Sequence, residues 1–270
     1  GYHAGLRDRP VRAQTTPGAT AAKLPDAPPE APEDMVDIFA DFEAIVPDAM
    51  THWQHPRFFA YFPANAAPAS MLAEQLANAI AAQGMLWQTA PAATEIEQVM
   101  ISWLRQALGL ADHFTGTIHD SATTTTLSAV LTMRERALDW QGNAAGLAGL
   151  GRLRIYASAQ THSSVLKACR IAGIGDAGLV AVPERDDLGM DPAALATCIA
   201  ADKAAGLIPA GVVICTGGTS VGAMDPVADV IAVAKTHDLW THVDAAWAGS
   251  AMICQEFRHL WDGVDGANSI

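Results

Sequence analysis

Long apolar runs are missing from this sequence. None reaches the roughly 18 residues that a membrane-spanning helix needs, and the opening GYHAGLRDRP is too polar for a secretory leader. Basic residues are scarce. Sixteen Lys and Arg stand against 29 Asp and Glu, a net charge of -13, and this balance argues against nucleic acid as the main partner. Cysteine is limited to Cys169, Cys198, Cys215 and Cys254, widely spaced, with neither a CxxC nor an HxxxH pair. No metal site is expected, and the thiols read as buried and free in a cytoplasmic protein. Charged residues make up only 17% while half of the 270 residues are hydrophobic. That composition excludes a disordered chain and suffices for one large core or two modest domains. Lysine is absent after Lys235.

What is present changes character along the chain. GYHAGLRDRP reads as the tail of a helix, and the Pro- and Ala-rich residues 17–33 as an extended arm. Met35, Ile38, Phe39, Phe42, Ile45 and Val46 recur at helical spacing up to Pro47. The aromatic stretch THWQHPRFFAYFP reads as a loop, and residues 70–86 as a helix. Thr94 and Glu97 form a T-x-x-E capping box ahead of Ile96, Val99, Met100, Trp103 and Leu104, with Gly109 as the stop. Beyond it, short apolar strands alternate with helices. TGTIH, LRIYAS, LVAVP, GVVIC and DLWTHVD are the strands, and Asp191-Pro192 and Asp225-Pro226 open two of the helices. This alternation predicts a mostly parallel α/β sheet flanked by helices.

Ligands of such sheets bind beyond the carboxyl ends of the strands. Those ends carry Asp120-Ser121-Ala122-Thr123-Thr124, then Gln160-Thr161-His162, then Thr216-Gly217-Gly218-Thr219-Ser220, then Asp244-Ala245-Ala246. The first is a small hydroxyl-rich turn at a helix start, a place suited to a phosphate, although a plain helix cap is the commoner use. A histidine at a helix start and a polar loop are each unremarkable alone. Together they place an anion cradle, a flat imidazole and a buried acid on one edge. That set suits pyridoxal 5'-phosphate (PLP), whose ring nitrogen a carboxylate keeps protonated. Such an ion pair would also account for burying Asp244.

HVDAAWAGSAMICQEFRHLWDGV, HWQHPRFFAYFP, TEIEQVMISWL, AQTHSSVLKA and DKAAGLIP, in that company, resemble the aromatic L-amino acid decarboxylases, the group II PLP-dependent decarboxylases. The resemblance covers nearly the whole chain. It implies the PLP-dependent transferase fold type I, aspartate aminotransferase-like, with an arm segment over 1–67 and an incomplete large PLP-binding domain over 68–270. It implies decarboxylation of an aromatic L-amino acid to its amine. Asp244 would pair with the pyridine nitrogen, and His162 would stack on the ring and help position the departing carboxylate. Ser121, Ala122 and Thr123 would hold the phosphate, and Thr219 and Ala246 would lie against the cofactor. Trp53, Tyr61, Phe62 and Pro63 would line the substrate pocket, with Gln83 and Met85 reaching it across a homodimer interface. Without the resemblance, core packing is the plainer reading of Tyr61 and Phe62. Sister activities on other amino acids, an aldehyde synthase and a non-catalytic subunit are the alternatives.

Two departures stand out. Asp120 replaces a glycine of animal members, setting a negative charge beside the phosphate turn. The family's Schiff-base lysine falls beyond Ile270, so the chain is expected to be the N-terminal portion of an enzyme whose C-terminal remainder carries that lysine.

Overall fold

The computed structural model describes residues 2–62 and 66–270. It divides into two compact units, Gly1–Ala82 and Gln83–Ile270.

The first unit holds α1 (Met35–Ile45) and α2 (Pro68–Ala79). The predicted helix at 35–46 is present. The one predicted over 70–86 instead ends at Ala79, where Ala81 turns the backbone to a φ of 48°. The opening decapeptide forms only a 3₁₀ turn at Leu6–Asp8. Pro63 of the predicted substrate loop lies outside the described residues.

The second unit contains α3 (Pro91–Leu108), α4 (Ala122–Ala137), α5 (Gln141–Ala145), β1 (Leu153–Ser158), α6 (Ser164–Ile171), β2 (Leu179–Val182), α7 (Pro192–Ala204), β3 (Ile208–Cys215), α8 (Val227–Thr236) and β4 (Trp240–Asp244). The four strands pair in parallel in the order β2-β1-β3-β4. The chain moves outward from β1 to β2, then returns past β1 to β3 and on to β4. Right-handed crossovers in opposite directions must place their helices on opposite faces, and the packing agrees. Leu153, Ile155, Ala157 and Val213 bury one face against Val130 and Met133 of α4 and Val165 and Ala168 of α6. Tyr156, Val212 and Ile214 bury the other against Leu195 and Ile199 of α7 and Val230 and Ile231 of α8. Strand alternation thus sorts side chains between two apolar layers.

Pro209 sits in the central strand β3, where a proline cannot donate to the ladder. The register slips there: Arg154 pairs with Pro209 but Ile155 with Gly211, leaving Ala210 as a bulge. At Gly211 any Cβ would come within 2.5 Å of Met133. Glycine therefore lets α4 settle onto the sheet.

Several local expectations change. TGTIH is not a strand; Thr117 Oγ1 and Ile118 N both donate to the Glu97 carboxylate at 2.6 Å. Glu97 is therefore no capping-box partner. Helix α3 starts three residues before Thr94, with Pro91 in its first turn, and the Thr94 hydroxyl donates back to the Ala90 carbonyl. Asp191 does cap α7, accepting from Ala193 N at 2.8 Å. Asp225 does not cap α8, whose N-cap is Pro226. Its buried carboxylate instead accepts from Cys215 N and Met190 N, both at 2.7 Å. All four cysteines are free, but only Cys169 and Cys215 are buried, and Cys254 is exposed.

Candidate active site

The site builds from strand ends. After β4, Asp244 is held through its backbone, its carbonyl accepting from Thr216 N at 3.0 Å and from Thr216 Oγ1 at 3.2 Å. Its Oδ1 accepts from Ala246 N at 3.2 Å, an Asx-type turn that aims the carboxylate forward. Asp244 is half-buried, not fully buried as the sequence suggests. One carboxylate oxygen thus stays outside the protein's own hydrogen bonds among the described residues.

The loop after β3 lies against the other two. Gly217 has φ of 85°, and a Cβ there would meet Ala248 Cβ at 2.5 Å and Trp247 Cε3 at 2.7 Å, so only glycine fits. A Cβ on Gly218 would meet the Gln160 carbonyl at 3.1 Å, and Cys215 Sγ lies 3.8 Å from the same oxygen. The loops that follow β1, β3 and β4 therefore converge at the carboxyl edge. Burial pushes the Cys215 thiol up to about 12, and Asp225 and Asp244 add to the shift. That sulfur is no nucleophile at neutral pH.

At β4's end a cavity of about 380 Å³ opens between Asp244, Ala245 and Ala246 and the start of α4, Ser121, Ala122 and Thr125. His119 and His242 line it as well, and Leu104, Leu108 and Ile270 add apolar wall. Ser121 is the N-cap of α4, its Oγ accepting from Thr124 N at 3.4 Å. The first-turn N–H groups of Ala122 and Thr123 have no partner among the described residues. Ala122 lines the cavity, and the positive end of the helix dipole lies at this turn. Asp120 is turned aside: its Oδ1 accepts from the Thr124 hydroxyl at 2.5 Å, and this bond holds the carboxyl below its ordinary range.

Anion donors at one end and a carboxylate at the other fit a ligand with a phosphate and a cationic ring nitrogen, and the volume suits a small cofactor. No lysine lines the cavity. Among the described residues no cluster of three His, Cys, Asp or Glu could hold a metal, and no helix is long and apolar enough to cross a membrane.

The structure thus joins Ser121, Ala122, Asp244 and Ala246 in one cavity. Thr123 stands in the same helical turn. His162 is exposed just before α6, and its Nδ1 accepts from Ser164 N at 3.2 Å. It and the exposed Thr219 are not among the cavity's lining residues. In the first unit Trp53 stacks on Phe58 and Tyr61, with centroids 4.9 and 5.5 Å apart. Tyr61 and Met85 are largely exposed, and so is Gln83. Sequence reasoning gave no role to His242 or, beyond its place in the loop after β3, to Thr216. The alternation in HVD, which puts His242 on the same strand face as Asp244, was the available signal for the first.

Residues 17–270 match the family model described as the pyridoxal-dependent decarboxylase conserved domain. The chain is 38% identical to tyrosine/DOPA decarboxylase 1 of Papaver somniferum, over 99% of this chain and 53% of the relative. Its fold superposes on the crystal structure of Oryza sativa TDC with PLP and tryptamine at a TM-score of 0.93 and 38% identity, covering 98% of this chain and 56% of that one. Rhodiola rosea 4-hydroxyphenylacetaldehyde synthase superposes at 0.92 with 34% identity, over 98% and 58%. This chain spans about half the length of the curated relatives it matches. The parallel sheet flanked by helices and the shared fold bear out the expected α/β class. By fold, by cavity and by sequence over nearly its whole length, the chain belongs to the pyridoxal-dependent decarboxylase family.

Proposed function

We propose that this chain forms the N-terminal part of a PLP-dependent decarboxylase that converts an aromatic L-amino acid into its amine and CO₂. The observation that carries the reading is the single cavity joining the free N–H groups of α4 to Asp244. When bound, PLP supplies the electron sink for bond cleavage at the substrate's α-carbon. Asp244 keeps the ring nitrogen protonated by pairing with it. Ala122 and Thr123 bind the phosphate through backbone N–H groups, with Ser121 as the cap that shapes their turn. His162, Ala246 and Thr219 would hold the cofactor ring between them. Trp53, Tyr61 and Phe62 would meet the aromatic side chain of the substrate, and Gln83 and Met85 would contribute from the second copy of a homodimer. Arg57 is the one cation in residues 51–63, which suits an aromatic side chain better than an acidic one. The activities named for the poppy and rice relatives support this substrate class. The anchoring lysine belongs to the remainder of the enzyme, and the setting is cytoplasmic.

The likeness to an aldehyde synthase favours one second reading, release of the aldehyde, CO₂ and ammonia instead of the amine, with water consumed and dioxygen as the two-electron oxidant reduced to hydrogen peroxide. Both are tested on the whole polypeptide that carries these residues. Borohydride reduction and peptide mass spectrometry should yield a phosphopyridoxyl-lysine outside residues 1–270. Incubation with tryptophan, tyrosine and DOPA should release the matching amine. Aldehyde in place of amine selects the second reading, and absence of any adduct refutes both.

A further inference from the structure

His242 precedes Asp244 by two residues on β4, so both side chains leave the strand on the same face. Both line the cavity, under the first turn of α4. The imidazole is only 4% exposed. Its Nδ1 lies 2.9 Å from Ser269 Oγ, and Trp240 Nε1 lies 3.1 Å from that same oxygen. These two contacts constrain where the protons sit. An indole N–H only donates, so Ser269 Oγ accepts from Trp240. Among the described residues, the printed contact that can take the serine proton is the one to His242 Nδ1, at 2.9 Å. In the arrangement that satisfies the serine proton within the protein, Nδ1 accepts and the ring's own proton resides on Nε2.

Burial pushes the imidazole down to about 4, overriding the opposite pull of Asp244, so the ring is neutral at physiological pH. Nε2 has no hydrogen-bond partner among the described residues, yet it is not sealed away from the cavity that its residue lines. Asp244 on β4 is the acidic residue facing that space, and His119 and the α4 N-terminus complete its polar surroundings.

We propose that His242 is a positioning residue of the cofactor site, a neutral Nε2–H donor set by the Trp240–Ser269 pair and offered on the Asp244 side of the cavity floor. The proposal rests on the PLP reading above. Its chemical sense lies in the ring being neutral. A donor hydrogen bond favours the ionised form of a neighbouring carboxylate. An imidazolium would do the same but would cancel the charge that Asp244 must present to a cationic ring. Trp240 and Ser269 thus hold the His242 ring in the cavity wall that Asp244 also lines, the outer support that such sites commonly need.

The test uses the whole polypeptide, labelled with ¹⁵N-histidine, with and without PLP. Side-chain nitrogen shifts of His242 should report the neutral Nε2–H tautomer from about pH 5.5 to 8, and Ser269→Ala should abolish that preference. A fluorescence titration with PLP should show His242→Phe weakened about tenfold, the scale of one hydrogen bond to a charged group. His242→Gln, whose amide N–H can replace Nε2–H, should recover most of the loss. An Nδ1–H tautomer, an imidazolium at pH 7, or wild-type PLP affinity in the Phe variant overturns the proposal. Failure of the wild type itself to bind PLP refutes the cofactor reading instead, and the tautomer measurement separates the two cases.

Discussion

Asp120 shows how one side chain can sit badly by charge and well by geometry. Its carboxylate stands one residue before the cap of α4, and it is engaged by the Thr124 hydroxyl. Because that hydroxyl's proton goes to Asp120, the 3.0 Å contact between Ser121 Oγ and Thr124 Oγ1 must use the proton of Ser121. The acid thus draws both hydroxyl protons away from any anion in the cradle. Asp120→Gly should release the Ser121 hydroxyl and remove a repelling charge. PLP binding measured by titration should tighten about three- to tenfold, more so at low ionic strength, as expected for an exposed charge. Unchanged affinity at low salt would show that Asp120 does not act on the phosphate.

At the scale of elements, Asp225 joins the end of β3 to the segment before α7 through two backbone N–H groups. Burial pushes its carboxyl up to about 6, against the pull of those two donors. Between the ordinary carboxylate range and pH 6 the folded protein keeps a proton on Asp225 that the unfolded chain releases. Its contribution to stability is therefore full in acid and lost as pH rises through about 6, on the order of 3 kcal/mol for a group this buried. The stability of wild type relative to Asp225→Asn, from denaturant melts, should fall between about pH 4 and 7 and then level off. A pH-independent difference would contradict this assignment. The same residue marks a limit of sequence reading. Asp before Pro is a helix-opening signature, and it held at Asp191. At Asp225 the pull of two N–H groups from distant segments prevailed over local capping. Glu97 is the parallel case, taken from its capping box by a loop 20 residues on.

At the scale of the molecule, the apolar stripes of three helices lack cover. α1, α2 and α3 contain no buried residue, and Phe39, Leu76 and Trp103 are 59%, 68% and 61% exposed. Helices with apolar faces of this size gain stability only by burying them against something else. The proposed dimer supplies such cover. Sedimentation of the whole protein should give a dimer, and Phe39→Asp combined with Leu76→Asp should shift it to monomer or aggregate. A double variant that remains a well-behaved dimer would place the interface elsewhere.

The sequence by itself determined the elements and the family. Periodicities of 2 and 3.6 located all four strands of the sheet and the helices between them, because those signals depend on neighbours a few residues apart. The place of Asp244 after a strand end was legible for the same reason, since a parallel sheet must bring its carboxyl ends to one edge; the α4 turn follows TGTIH, which is no strand, and reaches that edge by tertiary packing. Tertiary structure alone decided which strands are neighbours, that TGTIH grips Glu97 instead of pairing, and that Asp244 is half-buried. It also brought His242 Nδ1 to 2.9 Å from the hydroxyl of Ser269, 27 residues away. Each of these turns on hydrogen bonds or packing between segments remote in sequence, and nothing in a local pattern encodes which remote partner a polar group will find.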